Sequence, residues 1–292
     1  MRVLVTGAEG QVGDALCASR PPGVDVVAVA RRDLDITDAQ AVDAAIARHR
    51  PQWIFNAAAY TAVDRAESEP ERARQVNSVG PETLARATTG IDCRLLQIST
   101  DFVFAGRDPI PCATDAATGP VNVYGATKLE GEQAVARVLG ARALTVRTSW
   151  VYAARGTNFV RRMLELMRTR ESLSVVQDQV GAPTWARSLA ACLWSLAIAR
   201  DAGGVHHWCD SGVASWYDFA IAIQEEALAR GLLERKIPVR PIRSDEYPTP
   251  ARRPAYSVLD TRATAQLAGW TPEHWRENLR AMLDEVEGGR SR

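Results

Sequence analysis

Lysine is nearly missing from this sequence of 292 residues. Of its 35 basic residues only Lys128 and Lys236 are lysine, and all the others are arginine. A guanidinium does not replace an ammonium where a compact charge on a flexible stem, able to lose its proton, is required. Lys128 is therefore a candidate functional residue on composition alone, although Lys236, in the loop-like segment ERKIP, shows that retention by itself proves little.

Long hydrophobic runs and an excess of charge of one sign are also absent. No apolar run approaches the roughly 20 residues that cross a bilayer, which predicts a cytoplasmic protein without a membrane partner. The formal net charge is +0, which argues against a nucleic-acid partner bound through bulk charge. The apolar fraction of 46% is that of an ordinary globular protein with a substantial core.

Cysteine and histidine are too few and too scattered to predict a metal site. The five cysteines include no C-x-x-C pair, so neither a disulfide framework nor a zinc site is indicated. His206, His207 and Cys209 stand close together, but adjacent side chains on a strand point to opposite faces and no further ligand follows nearby. We therefore expect no bound metal.

Short apolar segments alternate with helical patterns through the first half of the chain. Strands are predicted at residues 2–6, 24–30, 53–57, 94–99 and 143–148. Helices are predicted at residues 11–19, 38–50, 71–88, 123–138, 158–170, 185–199, 216–230 and 271–286. This alternation predicts an α/β fold with a doubly wound parallel sheet of the Rossmann type.

The regular alternation of strands and helices becomes less clear after about residue 150, and this change predicts two domains. Residues 1–150 are expected to form a dinucleotide-binding domain, and residues 151–292 mainly a smaller C-terminal lobe for substrate. The helix near 185–199 is expected to pack back on the first domain, and the tail 287–292 to fray. Such a lobe would cap the carboxyl ends of the strands, where open α/β sheets bind their ligands.

A glycine-rich turn joins the first strand to the first helix. In VTGAEGQVG, Gly7 and Gly10 permit a tight turn and close approach to a pyrophosphate, and Gly13 permits packing of the helix on the strand. The alternative is a plain turn. The spacing G-x-x-G-x-x-G resembles that of extended short-chain dehydrogenase/reductase proteins.

The second predicted strand ends in Arg31 and Arg32, where a site for NAD usually has an acid. An arginine can form charge-assisted bonds to a 2′-phosphate, which favours NADPH. Asp33 and Asp35 follow closely and leave NADH possible, and a solvated arginine pair is the alternative interpretation.

Tyr124 and Lys128 stand four residues apart on a predicted helix and so project from one face. A cation beside the tyrosine is expected to lower its pKa, which makes it a better acid-base group near neutral pH. Lys128 is also suited to holding ribose hydroxyls of the cofactor. Thr100, at the end of a predicted strand, is the expected donor to a substrate carbonyl, and capping of the loop by Ser99 and Thr100 is the alternative interpretation.

Two features of the second half suggest substrate contacts. Trp150 directly follows the fifth predicted strand, and Arg252 and Arg253 precede a turn-forming proline. A nucleotide diphosphate needs local positive charge in a neutral chain, and Arg253 is our candidate for it. A solvated arginine pair is again the alternative.

The chain resembles the dTDP-4-dehydrorhamnose reductase family nearly from end to end. The resemblance rests on the segments GAEGQVG, NAAAYTAVDRAESEP, STDFVF, YGATKLEGE, RTSWVY, QDQVGAPT, SWYDFA and RPAYSVLDT. It implies an extended short-chain reductase that uses NADPH to reduce the C4 ketone of dTDP-4-dehydro-L-rhamnose, the final step of dTDP-rhamnose biosynthesis. It also implies a cytoplasmic monomer or homodimer.

The residue patterns above and the resemblance together give a set of candidate site residues. The catalytic candidates are Thr100, Tyr124 and Lys128. The candidates for cofactor binding are Gly7, Gly10, Gln11, Val12, Gly13, Arg31, Asp35, Ile36, Ala57, Ala58, Ala59, Tyr60, Thr61, Asn77 and Ser99, together with Tyr124 and Lys128. The candidates for substrate binding are Val63, Thr100, Asp101, Phe102, Trp150 and Arg253.

The sequence departs from the family at two positions. Phe102 stands where the family usually has tyrosine and has no hydroxyl, so we expect one hydroxyl contact to the sugar to be absent. Ala15 lacks the carboxylate with which some members hold Mg²⁺ between subunits, in line with the expected absence of metal. Dehydration is disfavoured because Phe102 cannot move a proton. An epimerase, a reductase for another dTDP-4-keto-6-deoxysugar and a non-catalytic regulatory subunit remain as alternatives.

Overall fold

The computed structural model describes residues 1–199 and 202–288, in which helices and strands alternate. The strands are β1 (Arg2–Thr6), β2 (Asp25–Val29), β3 (Trp53–Asn56), β4 (Arg94–Thr100), β5 (Ala143–Thr148), β6 (Val151–Tyr152), β7 (Leu173–Val176), β8 (Val180–Gly181), β9 (Thr184–Trp185), β10 (Gly204–His207), β11 (Ala214–Ser215) and β12 (Val239–Ile242). The helices are α1 (Gln11–Ala18), α2 (Ala39–His49), α3 (Val63–Ala66), α4 (Pro70–Arg74), α5 (Gly80–Ala87), α6 (Val123–Leu139), α7 (Phe159–Thr169), α8 (Ala186–Ile198), α9 (Trp216–Ala229), α10 (Arg262–Ala268) and α11 (Trp275–Gly288).

A six-stranded sheet in the order β10-β5-β4-β3-β1-β2 forms the centre of the molecule, and every pair in it is parallel. The predicted α/β fold with a doubly wound parallel sheet is therefore confirmed. The chain reverses its direction of winding between β1 and β3, and ligands bind at such a switch point. The sequence analysis did not assign β10 to this sheet.

Alternating side chains on each strand supply the two faces of the sheet. Val3 and Val5 of β1 pack with α1 and α8, whereas Leu4 between them packs with residues of α2, α5 and α6. All three side chains are fully buried, as expected for a parallel sheet that is covered on both sides.

A separate hydrophobic cluster lies in the second half of the chain, where side chains of α7, α9 and α11 pack together around Phe219. Three two-stranded sheets, β8 with β11, β7 with β12 and β6 with β9, connect these helices. β10 nevertheless belongs to the large sheet, where it pairs with β5, and α8 packs against that sheet. The boundary at residue 150 between the two predicted domains remains a prediction.

The prediction of one continuous helix at residues 71–88 is wrong, because a π-helical segment (Gln75–Val79) separates α4 from α5. Pro81 has no N–H to donate to the carbonyl of Asn77, so a regular α-helix loses a hydrogen bond there. The helix predicted from residue 271 begins only at Trp275, and α3 and α10 were not predicted. α11 runs to Gly288, and the remainder of the tail predicted to fray lies outside the described residues.

Candidate active site

A cavity of about 600 Å³ lies at the carboxyl ends of β1, β3, β4 and β5. Most of the residues that the sequence analysis singled out line it together. These are Gly10, Gln11, Val12, Ala57, Ala58, Ala59, Thr61, Val63, Ser99, Thr100, Asp101, Phe102, Tyr124, Lys128, Trp150 and Arg253. The structure thus places the predicted cofactor, catalytic and substrate residues around one space.

The glycine turn after β1 comes very close to the end of β3. Gly7 has φ +65°, and a Cβ on it would lie 2.6 Å from the backbone nitrogen of Ala58. A Cβ on Gly13 would lie 2.2 Å from the carbonyl oxygen of Gly7, so α1 begins directly against the turn. Gly7 and Gly13 therefore do not line the cavity themselves but let the backbone and the start of α1 approach it.

Helix α6 carries Tyr124 and Lys128 into the cavity. Its N-cap residue Asn122 accepts a hydrogen bond from the Gly125 N–H at 2.7 Å, and a Cβ on Gly125 would lie 2.1 Å from the carbonyl oxygen of Phe102. Glycine after the tyrosine thus allows α6 to approach the end of β4. The side chain of Phe102 contacts the Tyr124 ring edge-on, with 5.8 Å between centroids.

The side chains of Thr100, Tyr124 and Lys128 lie close together in the lining of the cavity, with Thr100 and Lys128 buried and Tyr124 half-buried. The Thr100 hydroxyl faces the Tyr124 side chain, donates to Asp101 Oδ1 at 3.1 Å and accepts the Phe102 N–H at 3.2 Å. Thr100 therefore both faces the tyrosine and caps the turn, so the two interpretations of this residue are compatible. Lys128 is only 3% exposed and donates from Nζ to the carbonyl oxygen of Ile98 at 2.6 Å.

The expectation that Lys128 lowers the pKa of Tyr124 is wrong. Burial raises the pKa of Tyr124 to about 12, with a smaller upward contribution from Asp101 and a downward one from the Thr100 hydrogen bond. Burial also lowers the pKa of Lys128 to about 8, against the charge of Glu132. Desolvation outweighs the expected influence of the cation on the phenol. Tyr124 consequently carries its proton at neutral pH, as a proton donor must.

Several predicted cofactor residues lie beside the cavity rather than in its lining. Asp35 accepts the N–H and hydroxyl of Thr37, and the side chain of Ile36 is buried. Asn77 donates to the Tyr60 carbonyl at 3.0 Å and accepts the Tyr60 N–H at 2.8 Å. Asn77 thereby holds the segment after β3 in place instead of facing the cavity.

The predicted cofactor residue Arg31 does not line the cavity. Its side chain is 70% exposed, and its nearest acid is Asp35, at 4.0 Å. The Ala8 N–H donates to the Val29 carbonyl at 3.1 Å, so the glycine turn does lie beside the end of β2 that leads to Arg31. The arginine thus lies at the margin of the site, largely exposed to solvent and beside Asp35.

Trp150 and Arg253 form the wall on the side of the second half of the chain. Trp150 has a left-handed backbone, φ +47°, and stacks on Trp216 with 3.5 Å between ring centroids. Such a conformation is uncommon outside glycine and directs the indole across the cavity. Arg253 pairs with Asp64 of α3 at 2.8 Å and its side chain is 21% exposed.

The adjacent histidines are part of the sheet, as β10. His207 is fully buried, with Nδ1 3.1 Å from the Cys112 carbonyl oxygen and Nε2 3.4 Å from Arg147. Within residues 1–199 and 202–288 no group of three or more His, Cys, Asp or Glu side chains is placed to hold a metal ion. His207 is occupied by structural contacts.

Sequence reasoning missed a part of the lining. These residues are Glu9, Asn56, Ile98, Thr148, Ser149, Val151, Gly156, Thr157 and Trp216. Thr148 and Ser149 stood at the end of a predicted strand, a position that could have singled them out. Trp216 belongs to the segment SWYDFA, but only the packing of α9 brings it to Trp150 in the lining.

A parallel doubly wound sheet, with a glycine turn and a Thr-Tyr-Lys set at its strand ends, defines an extended short-chain dehydrogenase/reductase. The family model described as RmlD substrate binding domain matches residues 1–287. The dTDP-4-dehydrorhamnose reductase of Streptomyces griseus is 44% identical to this chain, over 95% of this chain and 91% of its own length. The chain belongs to the dTDP-4-dehydrorhamnose reductase family, and the resemblance seen in the motifs is confirmed.

Solved structures of this family have the same fold. The dTDP-4-dehydrorhamnose reductase of Clostridium acetobutylicum is 36% identical with a TM-score of 0.92, covering 98% of this chain and 100% of its own. That of Bacillus anthracis, solved in complex with NADP, is 35% identical with a TM-score of 0.91, covering 97% and 99%.

A relative with a different name is nearly as similar. The dTDP-4-keto-6-deoxy-D-glucose reductase of Streptomyces niveus is 42% identical, covering 95% of each chain. In the described part of the chain, none of the helices combines the length and apolar character that crossing a membrane requires.

Proposed function

We propose that this protein reduces the C4 ketone of dTDP-4-dehydro-L-rhamnose to give dTDP-L-rhamnose, with NADPH as the reductant. The observation that carries the proposal is the half-buried Tyr124, whose pKa of about 12 keeps its proton in place beside Thr100. Both line a cavity at the strand ends, with Lys128 one helical turn away. Family membership supports the same reaction.

The residues present fit a dinucleotide. The close approach at Gly7 and Gly13 leaves a cradle that a Cβ would fill, and α1 begins beside it without a side-chain cap on its N-terminus. The hydroxyls of Ser99 and Thr148 in the lining are buried without a hydrogen-bond partner in residues 1–199 and 202–288. Lys128 would hold the ribose hydroxyls beside them.

The positions of Thr100, Tyr124 and Lys128 in the cavity suit each of them to one role in the reduction. NADPH supplies a hydride to C4 when it is bound. Thr100 donates a hydrogen bond to the ketone oxygen, and Tyr124 gives that oxygen its proton as negative charge develops on it. Lys128, a buried cation, stabilises the anionic form of the phenol that remains.

Cofactor choice depends on Arg31. A charge-assisted contact to a 2′-phosphate contributes roughly 1.5–3 kcal/mol, so NADPH should be preferred over NADH by about tenfold or more in kcat/KM. Arg31→Ala should therefore slow the NADPH reaction by about tenfold and spare the NADH reaction. Steady-state kinetics with both cofactors measure this, with Arg48→Ala on α2 as the control. An equal loss with both cofactors would show that Arg31 does not contact the phosphate.

Substrate binding depends on Trp150 and Arg253. Trp150→Ala removes the apolar wall, and Arg253→Ala removes the guanidinium in the cavity lining that we assign to the diphosphate, so each should raise KM for the sugar nucleotide several-fold. Binding of NADPH should not change. Arg252→Ala is the matched control, because its side chain is exposed and does not line the cavity. Unchanged sugar-nucleotide kinetics in both variants would place the substrate elsewhere.

The decisive experiment is stoichiometric oxidation of NADPH with dTDP-4-dehydro-L-rhamnose, followed by NMR assignment of the sugar product. The similarity to the Streptomyces niveus protein makes a D-configured dTDP-4-keto-6-deoxysugar the second substrate to compare. Higher kcat/KM for that sugar would identify a different 4-ketoreductase. No oxidation with either sugar would favour a regulatory subunit.

We also propose that the protein acts in the cytoplasm as a monomer or homodimer, without metal and without a nucleic-acid partner. The neutral net charge supports the last point. Light scattering after gel filtration measures the subunit number, and activity after treatment with a chelator tests the need for a metal.

A further inference from the structure

A buried ion pair outside the lining of the cavity ties α6 to the sheet. Glu132 of α6 and Arg147 of β5 are each 4% exposed. Arg147 donates from Nε to Glu132 Oε1 at 3.0 Å and from Nη2 to Glu132 Oε2 at 2.7 Å, so the planar guanidinium holds the carboxylate at both oxygens. The proposed reduction uses neither side chain.

The guanidinium of Arg147 is itself held from other sides. Its Nη1 is 3.4 Å from both the Thr114 carbonyl oxygen and Nε2 of His207. It also lies over the Phe104 ring, with 5.1 Å from Cζ to the ring centroid. Burial lowers the pKa of His207 to about 4, so this neighbour adds no charge near neutral pH. Arg147 therefore holds Glu132 in a defined orientation.

Lys128 stands one helical turn before Glu132, and side chains four residues apart are neighbours on a helix. Lys128 Nζ donates to the carbonyl oxygen of Ile98 in β4 at 2.6 Å, and Glu132 binds Arg147 in β5, the strand next to β4. Two successive turns of α6 are thus anchored on adjacent strands. Burial lowers the pKa of Lys128 to about 8, and the negative charge of Glu132 opposes that fall.

Two other titratable groups in this region do not replace Glu132. Tyr124 is uncharged at neutral pH, because burial raises its pKa to about 12. Burial also raises the pKa of Asp101, after β4, to about 7, and its charge acts on Tyr124. The charge that acts on Lys128 is that of Glu132.

The elements packed against α6 supply no second counter-charge in the described part of the chain. Residues 97–100 of β4 and 75–79 of the π-helical segment contain no charged side chain. The ion pairs that involve α3, α4 and α5 include neither Lys128 nor Glu132. They are Asp64–Arg253, Arg72–Glu69, Arg74–Glu71, Arg74–Glu130 and Arg86–Glu82.

We propose that Glu132 and Arg147 are positioning residues for Lys128. Their ion pair fixes α6 on β5, and the carboxylate supplies the counter-charge that keeps the buried ammonium charged. The three side chains together carry one net positive charge, which offsets the phenolate that Tyr124 leaves when it gives up its proton. Glu132 itself moves no proton. The catalytic part of this role rests on the proposed reduction.

The scarcity of lysine allows the charge of Lys128 to be observed directly. In protein labelled with ¹³C-lysine, NMR shows the Cε signals of Lys128 and of the exposed Lys236, which is the internal reference. Wild-type Lys128 should titrate near pH 8. Glu132→Gln keeps an oxygen for Arg147 but removes the charge, so the midpoint of Lys128 should fall by about one pH unit or more while that of Lys236 stays.

Glu226→Gln is the matched control. Glu226 of α9 is 7% exposed, lies outside the lining of the cavity and is paired with Arg230, Arg276 and Arg280. This change should lower the melting temperature as well, because it breaks another buried network, but it should leave the titration of Lys128 where it is. An equal shift of Lys128 in both variants would overturn the proposal, since it would reflect a general loosening of the packing.

Kinetics test the consequence for the reaction. NADPH oxidation is followed with saturating dTDP-4-dehydro-L-rhamnose at pH 6 and pH 8. The ratio of wild-type kcat to that of Glu132→Gln should be about fivefold larger at pH 8 than at pH 6, because the variant loses the charge of Lys128 over this range. The same ratio at both pH values would show a purely structural role and would overturn the proposal.

The wild-type titration keeps the proposal testable if Glu132→Gln does not fold. A Lys128 side chain that is uncharged at pH 7 in the wild type would overturn the role of the pair by itself. The NMR titrations need no substrate. A wild-type protein that oxidises no NADPH with this sugar would therefore overturn the proposed reduction, while the titrations would still decide whether Glu132 keeps Lys128 charged.

Discussion

Tyr124→Phe should lower kcat by about 10²-fold or more while the affinity for NADPH changes little. The phenylalanine keeps the ring and its edge contact with Phe102, and removes only the hydroxyl that holds the proton. At about 10²-fold, the loss corresponds to roughly 2.7 kcal/mol of transition-state stabilisation. Single-turnover oxidation of NADPH measures the step directly, and fluorescence titration measures cofactor binding.

Tyr247→Phe is the matched control for this change, because it removes a hydroxyl from a tyrosine that is 59% exposed. It should leave kcat and NADPH affinity as they are. Near-normal turnover in Tyr124→Phe would show that another group protonates the C4 oxygen. Because the pKa of Tyr124 is about 12, its ionisation should not limit activity between pH 5 and 9.

Lys128→Arg should reduce kcat/KM by about 10²-fold or more and should weaken NADPH binding as well. The charge is retained, but Lys128 is buried with its Nζ 2.6 Å from the Ile98 carbonyl oxygen, and a planar guanidinium is too large for that space. The ribose hydroxyls would then lose their donor.

The chain offers a matched control in its other lysine. Lys236→Arg makes the same substitution outside the lining of the cavity and should alter neither kinetics nor binding. Normal NADPH affinity in Lys128→Arg would show that this lysine does not hold the ribose. Circular dichroism of both variants checks that the sheet and α6 remain intact.

Local pattern was enough to predict the elements that build the site. Strand β1, the glycine turn and α1 follow one another within eighteen residues, and Tyr124 and Lys128 share one helix. Their spacing alone determines that they stand together. The break at Asn77 was missed because hydrophobic periodicity continues through a π-helical segment.

Contacts between distant segments could not be predicted in this way. The Trp150–Trp216 stack and the Arg253–Asp64 ion pair each join residues far apart in sequence. β10 pairs with β5 although a long segment that includes α7 and α8 separates the two strands in sequence. No periodicity within one segment carries information about its partner in another.

By itself, the sequence determined the parallel sheet, the glycine turn and the identity of the Thr-Tyr-Lys set, since these depend on residue type and local spacing. Only the tertiary structure decided the protonation of that set. The pKa values of Tyr124, Lys128 and Asp101 are governed by burial, which comes from segments distant in the chain. Desolvation is a property of the packed molecule, and it reversed the shift that the Tyr-Lys spacing alone had predicted.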